Sequence, residues 1–66
     1  MKIDKFILTG LAKGLTQEEI ASSLKKEGIK PNSISSVEKE LRIMKKEHGA
    51  KTLFHLAIIV KSENIV

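Results

Sequence analysis

Apolar residues recur along the chain at three- and four-residue steps, the period of an α-helix, and nowhere alternate as they would in a half-buried strand. In the third segment the recurring positions fall within one arc of about 80°: they are Ile34, Val37, Leu41, Met44 and His48. That arc predicts the core face of a helix over residues 33–48. The same pattern predicts helices over about 4–13, 16–26 and 51–61. We therefore expect an all-α fold of four helices in a single domain, residues 1–66.

Residues that cap helices indicate where these segments begin. Asp4 is suited to the N-cap of the first helix. Thr16 and Glu19 have the spacing of a capping box at the start of the second. Ser33 is the predicted N-cap of the third helix, and Ser35 is an alternative.

Glycines indicate where helices end or pass close to one another. Gly14, Gly28 and Gly49 each follow a helical segment and suit a C-terminal cap. Gly10 lies within the first helix, where glycine costs about 1 kcal/mol relative to alanine. It indicates either a close helix crossing or neutral drift.

The fourth segment carries two sets of apolar residues. One set is predicted to face the core, together with Ile20, Ala21 and Leu24 of the second helix: it comprises Leu53, Leu56, Ala57 and Val60. Phe54 and Ile58, four residues apart, fall on another side of the same helix. A second apolar face indicates a partner protein. The alternative is that the first helix covers both side chains.

The third segment has a polar face opposite its core face. We call this the outer face, and it comprises Ser35, Lys39, Arg42, Ile43 and Lys46. Glu38 and Lys45 lie to one side of it, and Glu40 and Glu47 to the other. Because the acidic and basic residues of this helix nearly balance, charge alone is also consistent with a merely solvated surface.

Composition limits the possible classes of protein. With 66 residues, 41% of them hydrophobic, the chain can form only one modest core. It has no cysteine, so disulfides and thiolate metal sites are excluded. The longest apolar run, residues 56–60, is far shorter than the roughly 20 residues of a membrane span, and we expect a cytoplasmic protein. The net charge of +4 favours a polyanionic partner without identifying it.

The sequence offers little for catalysis. Its single aspartate is a predicted cap, and His48 and His55 have no cysteine or paired carboxylate at ligand spacing. There is no glycine-rich phosphate loop. We expect neither an enzyme nor a bound metal or cofactor.

Two stretches resemble the LuxR/GerE type of helix-turn-helix domain. The first, ILTGLAKGLTQEEIASSL, is similar to the family's A-x-G-L-[ST]-x-x-E-I-A at Ala12, Gly14, Leu15, Thr16, Glu19, Ile20, Ala21 and Leu24. The second, SVEKELRIMKKEHGAK, is similar to T-V-x-x-H-x-x-x-[IL]-x-x-K-L-G-[VA] at Ser36, Val37, Met44, Gly49 and Ala50. With the fourth helix, the resemblance covers nearly the whole chain.

The sequence also departs from the family pattern. Glu40 stands in place of the usual histidine, and His48 in place of a leucine. The L-T-x-R-E opening is missing before Ile7, and the connection between the second and third helices is longer than the family's. The longer connection affects the expected docking angle on DNA rather than the expected fold.

The resemblance implies a DNA-binding domain of a transcription regulator whose third helix reads the major groove of double-stranded DNA. The DNA contacts it implies, together with the basic residues nearby, are Thr16, Gln17, Lys30, Ser35, Ser36, Lys39, Arg42, Ile43, Lys46 and Lys51. Lys39 and Arg42 suit base edges, whereas Lys30, Lys46 and Lys51 suit phosphates.

The resemblance further implies a homodimer formed through the fourth helix, with Phe54 and Ile58 in the interface. RNA polymerase is a further expected partner. The domain is either a stand-alone regulator or the output domain of a longer response regulator. The alternative function is a protein-interaction module that keeps the helix-turn-helix scaffold, does not bind DNA and docks through the fourth helix.

Overall fold

The computed structural model describes residues 3–65, so the first two residues and the last residue of the predicted 1–66 domain lie outside the described range. Within this range the chain forms four helices and no strand: α1 (Ile3–Ala12), α2 (Gln17–Lys26), α3 (Ile34–His48) and α4 (Leu53–Ser62). The prediction of an all-α chain with four helices is confirmed. Each predicted boundary lies within two residues of the observed one.

Two of the predicted N-caps are present. The Thr16 side chain accepts the N–H of Glu19 at 3.1 Å, and the Glu19 carboxylate accepts the N–H of Thr16 at 2.8 Å, which completes the capping box. Ser33, rather than Ser35, caps α3 by accepting the N–H of Ser36 at 3.1 Å. Local hydrogen bonds therefore define where α2 and α3 begin.

The other two helix starts differ from expectation. Asp4 does not precede the first helix, because α1 begins at Ile3 and Asp4 lies in its first turn, where a carboxylate still favours the positive end of the helix dipole. The N-cap of α4 is Thr52, whose side chain accepts the N–H of His55 at 3.0 Å. The sequence analysis did not identify this cap.

The buried core draws on all four helices. α1 packs against α2, α3 and α4, while α3 also packs against α2 and α4. The fully or almost fully buried residues are Ile7, Leu8, Ile20, Ala21, Leu24, Val37, Leu41, Met44, Leu56 and Val60. Gly10 is buried where α1 and α2 meet, and a Cβ atom there would lie 3.0 Å from Ile20 Cγ1. The close crossing, rather than neutral drift, accounts for this glycine.

Two residues of the predicted core face of α3 are less buried than expected. Ile34 is 43% exposed, because it lies in the first turn and borders an open groove with Leu15 and Leu53 instead of lying beneath another helix. His48, the last residue of the helix, is half-buried. The core face is therefore limited to the middle of α3.

The outward side of α4 is uncovered. Phe54 is 77% and Ile58 48% exposed, so the alternative in which the first helix covers them is wrong. At 100° per residue they lie about 160° and 200° around the helix from buried Leu56, opposite the core. Within residues 3–65, no helix combines the length and the apolar character needed to cross a bilayer.

Candidate nucleic-acid interface

Burial of one side of α3 presents its outer face to solvent. Val37, Leu41 and Met44 are 1%, 1% and 2% exposed, so the rotation of the helix about its axis is set by its packing on α2, α1 and α4. The five residues of the outer face are all exposed, as predicted: Ser35, Lys39, Arg42, Ile43 and Lys46. This surface is convex, because it is one side of a helical rod, and such a rod has the width that the DNA major groove admits.

Three cations run along the outer face. Lys39, Arg42 and Lys46 follow one another at steps of three and four residues, so they form a row that spans about 10 Å along the helix axis. Ile43, which is 42% exposed, lies beside this row. The surface thus combines positive charge with one apolar contact, and both are used to read base edges.

The structure brings the start of α2 next to the side of α3. Gln17 lines a small groove of about 170 Å³ that it shares with Glu38, Leu41, Arg42, Lys45 and Leu53. Gln17 and Arg42, which are far apart in sequence, therefore border one surface. The amide of a glutamine can bond an adenine edge, and a guanidinium can bond a guanine edge.

The start of α2 does not offer all of its backbone amides to a phosphate. The N–H of Thr16 is donated to the Glu19 carboxylate, and Glu18 and Glu19 both lie in the first turn. These carboxylates take up the positive helix terminus that a phosphate would use. Thr16 therefore acts as a helix cap, and its neighbour Gln17 borders the groove beside α3.

The two serines at the start of α3 have different surroundings. Ser35 is exposed on the outer face. Ser36 is half-buried, and its hydroxyl oxygen accepts the Ser33 hydroxyl at 2.9 Å. Ser36 also lies about 100° around the helix from Ser35, on the side of Glu40 and Glu47. Ser35 is therefore the better placed of the two to meet a ligand of the outer face.

The end of α3 forms a second groove with the connection that follows. This groove measures about 390 Å³ and is lined by Arg42, Ile43, Lys45, Lys46 and Ala50. Lys45 is half-buried and borders both this groove and the one at Gln17, yet the sequence analysis did not include it among the site residues. No pattern in the sequence indicates this position, because it depends on α2 lying beside that side of α3.

Lys30 and Lys51 lie in the two connections on either side of α3, and both are exposed. The connection carrying Lys30, residues 27–33, is anchored by half-buried Ile29, whose N–H donates to the Leu24 carbonyl at 2.9 Å. The backbone N–H of Lys51 donates to His55 Nδ1 at 3.2 Å. Both lysines are thus carried by segments that backbone hydrogen bonds hold in place.

Within residues 3–65, no three histidine, cysteine, aspartate or glutamate side chains come together in a way that could hold a metal ion. Six of the predicted DNA-binding residues lie on the outer face or line its two neighbouring grooves: Gln17, Ser35, Lys39, Arg42, Ile43 and Lys46. The other four, Thr16, Lys30, Ser36 and Lys51, line neither groove. Comparison of the chain with protein-family models, curated proteins and solved structures found no match.

Proposed function

We propose that this chain is a DNA-binding domain of a transcription regulator, of the LuxR/GerE helix-turn-helix type, and that α3 is its recognition helix. The observation that carries the proposal is the division of α3 into a buried apolar side and an exposed outer face with three cations in a row. The order of α2, a connection and α3, with α2 packed on α3, is in keeping with this type of domain. The family resemblance described above supplies the link to DNA.

Each residue of the outer face has a chemical role in this proposal. Arg42 and Lys39 bond guanine O6 and N7, while Ile43 contacts a thymine methyl group. Gln17 reaches an adjacent base or phosphate from the start of α2. Lys30, Lys46 and Lys51 neutralise phosphates and so contribute affinity without sequence preference. Ser35 adds a hydroxyl at the end of the row.

The dimer is the second part of the proposal. Phe54 and Ile58 lie on an apolar side of α4 that no other helix covers, and a two-fold axis there would place this side of one copy against the same side of the other. The domain measures 29 × 20 × 19 Å, comparable with the repeat of about 34 Å that separates two half-sites on one side of DNA. The domain would work in the cytoplasm as a stand-alone regulator or an output domain, with RNA polymerase as a further partner.

Selection of bound sequences from random double-stranded DNA tests both parts. We expect an enriched site of two inverted half-sites whose centres are about one helical turn apart. Affinity for that site should fall steeply as salt is raised, because the lysines displace counterions from phosphates. A pool that shows no enrichment after several rounds would contradict the assignment of α3 as a reading helix.

A second candidate function is a protein-interaction module without DNA binding, and the 77% exposure of Phe54 is the observation that favours it. In this case α4 docks on another regulator or on a polymerase subunit. A gel-shift titration with mixed DNA at two salt concentrations discriminates between the functions. Indifference to DNA at the lower salt concentration would favour the interaction module.

A further inference from the structure

A separate apolar groove lies between α1 and α2. We call it the α1–α2 groove; it has a volume of about 360 Å³ and is lined by Lys5, Phe6, Thr9, Gly10, Lys13, Leu15, Ile20 and Ser23. None of these residues belongs to the outer face of α3 or to its neighbouring grooves, apart from Leu15, which also borders the groove at Ile34. The α1–α2 groove therefore needs an explanation of its own.

Gly10 forms the floor of the α1–α2 groove. A Cβ atom at this position would meet Ile20 Cγ1 at 3.0 Å and Leu15 Cδ1 at 3.4 Å, so the absence of a side chain lets α1 and α2 approach closely and leaves a depression above them. Phe6 and Leu15 are half-buried and form its apolar walls. The floor is therefore apolar and accessible to a side chain from another molecule.

One rim of the groove is positively charged. Lys5 and Thr9 lie four residues apart on α1, and Lys13 follows four residues later in the turn after the helix. The Lys13 N–H donates to the Thr9 carbonyl at 3.1 Å. The two exposed lysines stand about 12 Å apart along the helix axis. Among the residues that line the groove none is acidic, and the carboxylate of nearby Glu19 bonds the Thr16 N–H.

This groove and the outer face of α3 can be occupied at the same time. On α2, Ser23 borders the α1–α2 groove and Gln17 borders the groove beside α3. These residues lie about 60° to either side of buried Ile20, so the two grooves flank opposite edges of the buried stripe of α2. A ligand bound between α1 and α2 would leave Arg42 and Lys39 accessible.

We propose that the α1–α2 groove binds an acidic amphipathic helix of a partner protein. Apolar side chains on one face of that helix would pack over Gly10 against Phe6 and Leu15, in the helix-in-groove mode. Carboxylates two turns apart along its edge would pair with Lys5 and Lys13. A peptide fits better than a small amphiphile, because Lys5 and Lys13 stand about 12 Å apart along the helix axis and a ligand with a single carboxylate cannot pair with both.

Fluorescence anisotropy with a synthetic peptide tests this proposal. The probe is a fluorescein-labelled helical peptide of 15 residues with leucines on one face and glutamates along the edge; its matched control has lysines in place of the glutamates. We expect the acidic peptide to bind and the basic one not to bind. Equal binding of both peptides, or no binding of the acidic peptide at low salt, would overturn the proposal.

Matched variants locate the binding site. K5Q/K13Q should weaken peptide binding about threefold to tenfold, because it removes two exposed ion pairs. K25Q/K61Q removes the same charge from exposed lysines that do not line the groove, and it should leave binding unchanged. S23W, which fills the groove from α2, should abolish peptide binding. Equal losses in both lysine variants, or full binding by S23W, would contradict the proposal.

Nuclear magnetic resonance separates this surface from the DNA-binding one. The amide signal of Gly10 should shift when the acidic peptide is added, and the signal of Gly49, at the end of α3, should stay in place. Loss of peptide binding in K39A/R42A would instead place the peptide on the outer face of α3. That result would overturn the proposed binding in the α1–α2 groove. A shift of the Gly10 signal on addition of dodecanoate, with no binding of the acidic peptide, would assign the groove to small anionic amphiphiles and overturn the proposal. Because none of these measurements uses DNA, their outcome is independent of the proposed DNA binding.

Discussion

The helices α3 and α4 are alike on the side that faces the core and chemically different on the side that faces solvent. Leu41 in α3 is 1% exposed and Leu56 in α4 is fully buried, so both helices contribute to one core. Outside the core, however, α3 presents cations, including Arg42, whereas α4 presents Phe54 and Ile58. Equal burial is therefore combined with two surfaces of different chemistry.

This difference separates stability from recognition. The inner residues are apolar and buried, so they contribute packing and present no group to a partner. The outer residues are exposed, and their chemistry is the basis of the proposed partners: a row of cations suits phosphates and base edges, and an exposed apolar surface suits another protein. Four predictions test whether the two helices differ in this way.

The largest effect is expected for the charged side of α3. K39A/R42A should weaken binding to a selected DNA site by about 2 to 6 kcal/mol, because each base contact of this kind contributes about 1 to 3 kcal/mol. The measurement is anisotropy of labelled DNA, with circular dichroism to verify that the variant remains helical. K25A/K26A, which removes the same charge from the end of α2, is the control. If both variants lose the same affinity, the effect is one of net charge and not of α3.

Truncating a buried leucine should destabilise the chain to a similar extent in α3 and in α4. L41A and L56A should each lower the free energy of unfolding by about 2 to 5 kcal/mol, because each leaves a cavity in the shared core. Urea denaturation followed by circular dichroism measures this. I43A, which truncates a residue that is 42% exposed and lies outside the proposed dimer interface, is the control and should cost much less. A small loss for L56A would mean that α4 is not part of the cooperative core.

The apolar side of α4 should matter for association and not for folding. F54A should raise the dimer dissociation constant by about 30-fold, the effect of losing roughly 2 kcal/mol at an aromatic interface residue. Sedimentation equilibrium measures the constant. I43A, which truncates the exposed apolar residue of α3, should leave it unchanged. A chain that stays monomeric at all concentrations would contradict the proposed dimer.

The smallest effect is expected where the two helices begin. S33A and T52A should each cost about 1 kcal/mol of stability, because each removes a side-chain oxygen that accepts a backbone N–H three residues later, at 3.1 Å in α3 and 3.0 Å in α4. Urea denaturation again provides the measurement, with S33D and T52D as the conservative variants. A loss that persists in the aspartate variants would argue against a role in capping.

The helices could be predicted because their signals are local. The capping box of Thr16 and Glu19, the cap at Ser33 and the period of Val37, Leu41 and Met44 each involve residues less than two turns apart. Thr52 was missed because it lies only three residues after Gly49, which ends α3, and the predicted start at residue 51 placed it inside the fourth helix. The cap at Asp4 was misplaced because Ile3, just before it, already belongs to α1.

The candidate site could be predicted only in part. The five residues of the outer face are exposed as expected, since a side opposite a buried stripe must face solvent. That Gln17, Arg42 and Lys45 border one groove could not be predicted, because the period of each helix says nothing about which helix lies beside it. The groove with Gly10 at its floor could not be predicted either, since it depends on how closely α1 and α2 approach.

The sequence by itself determined the number of helices, most of their ends and the stripe of each that is buried, since neighbouring backbone groups and a fixed angle per residue decide all three. Only the tertiary structure decided that Ile34 is exposed, that α1 leaves Phe54 uncovered and that a cationic rim borders an apolar groove. The physical reason is that periodicity defines a direction around one helix axis, whereas exposure depends on whether another helix lies in that direction.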